Sequence, residues 1–118
     1  MRSSERGVVS AHAVWVVTAI TVVALLAVQV AALVQLRHRA ASAADLSALA
    51  ASRASVAGQD GCRAAEDIAR RNGAHLQACR MDLDVATVTT RLASTPWWGG
   101  EWVTTQDARA APTSYVDP

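Results

Sequence analysis

At 118 residues the chain is one small domain at most, and its composition is lopsided: 52% hydrophobic residues but only 4% aromatic, with 26 Ala and no Phe. Its formal net charge is +1 and all 11 basic residues are Arg, with no basic block, so it carries no electrostatic footprint for nucleic acid. Small-residue apolar content of this kind belongs to a membrane segment more than to a bulky globular core, which argues against an ordinary soluble enzyme.

The first element is a long apolar run. No Asp, Glu, Lys or Arg occurs between Gly7 and Leu36. As a helix, the 24 residues Ala13–Leu36 rise roughly 36 Å, enough to cross a hydrocarbon core of about 30 Å with some tilt. Val14, Val16, Val17, Ile20, Val22 and Val23 do not oppose this, because in lipid only a helix or a closed barrel satisfies every backbone group. Trp15 lies near one end, where an indole suits the interface, and Gln29 and Gln35 are the only amides within. The competing interpretation is a cleaved secretory signal. Its apolar region is usually about 7–15 residues and ends at a small-residue site. This run is longer, and Arg37-His38-Arg39 separates it from Ala41-Ser42-Ala43.

Residues 8–57 therefore read as a membrane-spanning helix with its extension. Arg2 and Arg6 flank one side of the span and Arg37 and Arg39 the other, so the positive-inside count is nearly tied. The cysteines break the tie. Cys62 and Cys79 are the only two, both follow the span, and an even count in a short chain suggests a disulfide and hence an extracytoplasmic carboxyl-terminal part.

From Ala40 to Ala57 the alanine-rich sequence stays helical until Gly58, either as one helix continuous with the span or as a second helix hinged near Arg37–Arg39. Leu46, Leu49, Ala50 and Val56 form a thin apolar stripe there, with Asp45, Ser47, Ser52 and Arg53 mainly elsewhere. Residues 58–92 read as a small α+β part. Gly58-Gln59-Asp60-Gly61 is a turn, with Asp60 as cap. A helix from Cys62 to Asn72 puts Cys62, Ala65, Ile68, Ala69 and Asn72 on one face, and Asn72-Gly73 stops it. Cys79, Met81, Leu83 and Val85 then alternate with Arg80, Asp82 and Asp84, the period of a strand with one wet face. The β-branched Val85–Thr90 stretch extends it as one long strand or two short ones. Residues 93–118, with Pro96, Trp97, Trp98, Gly99, Gly100 and Trp102, read as a flexible tail with aromatic spots. The fold expected is thus α+β: a long amino-terminal transmembrane helix, then a disulfide-tied helix with short antiparallel strands.

Catalytic signatures are missing. There is no phosphate-binding glycine loop, no nucleophile elbow and no helical histidine pair among His12, His38 and His75. Cys62, His75 and Cys79 make at most three metal ligands where structural zinc wants four, so a disulfide is expected, with a metal site or free thiols as the alternatives. No metal, cofactor, small-molecule substrate or nucleic acid is expected. Trp97, Trp98 and Trp102 form either an interfacial anchor or partner-binding spot, or a cover for the sheet edge.

Three blocks carry a resemblance: Glu5-Arg6-Gly7 before the span; Arg37-His38-Arg39-Ala40 running into Ala43-Ala44-Asp45-Leu46-Ser47-Ala48-Leu49-Ala50; and Cys62-Arg63-Ala64-Ala65-Glu66-Asp67-Ile68-Ala69 with Asn72-Gly73-Ala74-His75-Leu76 and Cys79. With Ala108-Arg109-Ala110-Ala111-Pro112 they cover most of the chain. In their order and cysteine spacing they resemble the TadE-like proteins of actinobacteria, relatives of the pseudopilins of tight-adherence (Flp-type) pilus systems, sometimes described by a neighbourhood of helicase and secretion genes. The resemblance implies a pilin-like design: a short cytoplasmic leader over residues 1–7, an apolar helix that packs into a pilus or secretion assembly, and a small extracytoplasmic α+β part. It also implies a prepilin-peptidase cut after Gly7 that leaves Val8 as the new amino terminus. One position departs from the pattern. Pilin-type helices carry Glu five residues after the cleaved bond, and here that residue is His12, which does not neutralise a neighbouring amino terminus as a carboxylate does.

The function expected is a non-enzymatic, single-pass cell-membrane protein, amino terminus cytoplasmic, acting as a pseudopilin-like component. Ala24, Ala27 and Ala31, with Ala19 and Ala32, let another helix approach closely in lipid. A membrane-tethered binding module using the Trp-rich tail on an envelope ligand is the alternative, and a metalloprotein released by signal cleavage is a third reading.

Overall fold

A computed structural model describes residues 2–114, with side chains from residue 7 onward. The side chains of Arg2, Glu5 and Arg6 in the leader, Met1 and the final four residues lie outside the described residues. The elements in order are α1 (Arg2–Val56), α2 (Gly61–Arg71), β1 (His75–Asp82), β2 (Val85–Ser94) and β3 (Trp102–Ala110). The α+β expectation holds: a long apolar amino-terminal helix, a short helix, a Cys62–Cys79 disulfide and a three-stranded antiparallel sheet. The chain divides into two units, Met1–Val34 and Gln35–Pro118.

In the first unit the aliphatic side chains from Val8 to Val34 are all exposed. The Thr18 and Thr21 hydroxyls donate to the carbonyls of Val14 and Val17, each at 2.8 Å, so these polar groups are satisfied inside the helix. Among the described residues α1 is the one helix long and apolar enough to cross a membrane, and none of its most apolar stretch is buried. A core helix of a soluble protein of that composition would be covered.

The second unit is built around small residues. On α1, Leu36, Ala40, Ala43, Ala44, Ser47, Ala48, Ala51 and Ser52 are buried, a ridge at helical spacings of three and four. This corrects the face expected from hydropathy. Leu46, Leu49 and Val56 remain 45%, 38% and 58% exposed, while Ser47 and Ser52 face inward. The ridge packs in two clusters. Leu36, Ala40 and Ala43 meet Ala69, Ala74 and Leu92; Ala48 and Ala51 meet Ala65, Ala86 and Val88. Alanine and serine win the inner face because they let backbones approach closely. An added Cβ on Gly61 would lie 2.8 Å from the Ala51 carbonyl oxygen and 2.9 Å from the Met81 sulfur.

α2 starts where expected. Asp60 is its N-cap, accepting from the Arg63 amide at 3.2 Å, and Asn72 closes it with Gly73 at φ +73°. Cys62 bridges to Cys79 on β1 with Cα atoms 5.8 Å apart. The sheet order is β1-β2-β3, antiparallel throughout. The two-short-strands alternative is the one realised, because Leu83 and Asp84 form a two-residue hairpin turn between Asp82 and Val85. Leu83 therefore leaves the alternating inner set: it is 91% exposed and left-handed, at φ +56°. The expectation of a flexible tail over 93–118 is also corrected. β2 continues to Ser94, and β3 pairs with it from Ser94↔Trp102 to Ala86↔Ala110. The even-numbered residues of β3, Trp102 to Ala110, point to the half-buried side and the odd ones to solvent.

Candidate functional site

Among the described residues the buried polar side chains are Ser47, Ser52 and Thr90, and many large apolar side chains are exposed. On the apolar stretch of α1, Ala24 and Ala27 share a shallow notch with Ala19, Ile20 and Val23, and Ala31 follows one turn further along the exposed helix. The expected close-approach residues therefore share one face, and their small side chains leave the backbone accessible there. Gly7 and Val8 are adjacent and exposed within α1, and an added Cβ on Gly7 meets nothing within 4 Å.

In the second unit the outer side of α1 carries Leu46, Leu49 and Val56. Leu49 and Val56 join Ser52 and Arg53 to form one wall of a groove, and Ala111, Pro112 and Thr113 beyond β3 form the other. α1 is held to the hairpin turn at this end by hydroxyls. Ser52 donates to the Asp84 carbonyl at 2.7 Å and Ser55 to the Asp84 carboxylate at 2.8 Å. Midway, Thr90 donates to the Ala40 carbonyl at 3.3 Å. These bonds set the direction of the sheet: β2 runs from the Ser52–Ser55 turn of α1 toward Leu36, antiparallel to the helix.

The tryptophans are brought together at the other end. The Gly99 amide donates to the Pro96 carbonyl at 3.1 Å, closing a turn whose two central residues are Trp97 and Trp98. Gly99 and Gly100 take the positive φ angles (88° and 85°) that return the chain into β3. Trp102 packs on the Leu36–Ala40 cluster, and Trp98 meets it edge to face with centroids 5.8 Å apart. Trp97 stays 83% exposed. Sequence reasoning singled out these residues but missed the strand that positions them.

Cys62 and Cys79 are joined to each other, so the three-ligand metal alternative with His75 lacks its thiolates. Among the described residues no three His, Cys, Asp or Glu side chains are grouped to hold a metal ion. The ion pairs of Asp67 with Arg70 and Arg71, Arg80 with Asp82 and Arg91 with Glu101 are all on exposed surface and orient little. His12, His38 and His75 are each exposed, in three separate places along the chain. No family model, no curated protein and no solved structure matches the chain.

Proposed function

We propose that the chain is a non-enzymatic single-pass membrane protein that works by association, as a pseudopilin-like component of a Flp/Tad-type pilus or secretion assembly. Its amino terminus is cytoplasmic and its Gln35–Pro118 unit extracytoplasmic, where the Cys62–Cys79 bridge persists. The observation that carries this reading is the placement of bulk on α1. The folded unit covers a ridge of Ala and Ser and leaves Leu46, Leu49 and Val56 outside. Large aliphatic side chains kept outside a core built from alanine are surface reserved for another chain. On the apolar stretch, the notch at Ala24 and Ala27 offers a separate place for a neighbouring helix to approach closely in lipid.

Photocrosslinkers at Leu46 and at Ala27 in the natural membrane test it. Adducts with a pilus or secretion component are the expected result; adducts with lipid alone from both positions would defeat the assembly role. Mass spectrometry of the membrane form reads the leader separately: a chain beginning at Val8 supports peptidase processing, and a retained Met1 removes it.

A further inference from the structure

We infer that the Pro96–Gly99 turn is a second membrane contact: Trp97 and Trp98 enter the headgroup–acyl interface of a phospholipid bilayer. The inference rests on the single-span reading above. It starts from where the turn lies in its unit. The Asp84 end of the sheet is fastened to Ser52 and Ser55, and the Leu92 end packs on Leu36, the second residue of that unit. Beyond Leu92, two further strand residues carry β2 about 7 Å past Leu36 in the same direction before the turn begins. The tryptophans therefore project from the end at which the chain leaves the bilayer, not from the distal end where Leu83 sits.

The composition of that end fits a phospholipid surface. Trp97 is 83% exposed, and Trp98, which packs on Trp102, is 52% exposed. Behind them the exposed Ala93 and Val103 face each other across β2 and β3. Arg37 and Arg39, both exposed, leave the same end of α1 and match lipid phosphate in charge. Indole combines an apolar body with an N–H donor and partitions to this boundary rather than to water or hydrocarbon. The tight turn holds both rings at its tip, and Trp102 braces Trp98 from behind.

The test uses the full chain in phosphatidylcholine–phosphatidylglycerol vesicles, with part of the lipid brominated high on the acyl chain. In a Trp15→Phe variant the remaining indoles are Trp97, Trp98 and Trp102. The expected result is loss of more than half the emission to brominated lipid, weak quenching by aqueous iodide, and abolition of the lipid-quenched part by Trp97→Phe with Trp98→Phe. Strong iodide quenching with no bromolipid effect overturns the inference. Shielding from iodide in native membranes but not in lipid vesicles also overturns it, in favour of a protein or envelope ligand. The Trp97→Phe/Trp98→Phe chain that keeps Trp15 separates the two readings. If Trp15 is quenched by brominated lipid while the turn is not, only this inference falls; if Trp15 is untouched as well, the span falls with it.

Discussion

Two stretches of the same helix handle hydrophobicity in opposite ways. From Val8 to Val34 the valines, leucines and isoleucine are exposed. From Leu36 to Ala54 the covered side chains are nearly all Ala or Ser, and the larger Leu46 and Leu49 stand outside. Size, not hydropathy, sorts most of the second stretch: a helix lying close over a sheet has room for a methyl or a hydroxymethyl, and Leu46, Leu49 and Val56 are left more exposed. An apolar side chain on this protein is thus more often a contact offered outward than a core residue.

That contrast can be broken or sharpened by substitution, with unfolding followed by near-ultraviolet circular dichroism in detergent. Removing the bridge with Cys62→Ala and Cys79→Ala has the largest expected effect, a loss of about 3 kcal/mol, because so small an alanine core offers little to offset it. An unchanged midpoint would mean the close-packed ridge holds the unit alone. Gly61→Ala comes next, with about 2 kcal/mol lost as the new methyl meets the Ala51 carbonyl. A neutral result would show that α1 and α2 are less tightly apposed than described. Ser47→Ala should raise stability by up to about 1 kcal/mol, because its hydroxyl is fully buried and makes no hydrogen bond; a loss of similar size would reveal a role for that oxygen. Leu46→Ser with Leu49→Ser should shift folding least, by less than about 0.5 kcal/mol, while abolishing cross-links to the proposed assembly. A large loss of stability from that pair would restore the inward stripe that hydropathy suggested.

Much of the architecture was legible because it is encoded locally. The long apolar helix is a matter of length and charge, the α2 boundaries follow from Asp60 and Asn72-Gly73, and two cysteines leave one intrachain pairing. The inner face of α1 was not legible. A ridge of Ala40, Ala43, Ser47 and Ala51 differs little in hydropathy from its surroundings, so the leucines drew the assignment to the wrong side. β3 was missed because its inward positions include Thr104 and Gln106, which disguise the alternation, and because Pro and Gly precede it. The β-branched run Val103-Thr104-Thr105, returning after Gly99-Gly100 toward an equally long β2, was the available signal. For the candidate site, the tryptophans and the small residues of the apolar stretch were conspicuous in the sequence by composition. Which end of the unit the tryptophans occupy depends on Thr90, Ser52 and Ser55, hydrogen bonds across many residues that no local pattern announces.

The two sulfurs are only 17 residues apart and both precede β2. A chain threaded outward from its anchored end, as the proposed topology requires, delivers them to the far compartment before either remaining strand has arrived. The staple can then close on α2 and β1 alone, giving a ready-made nucleus on which later strands are laid in order of synthesis, β2 and then β3. Translocation intermediates halted just after Asp84 should already migrate as the bridged form on a non-reducing gel.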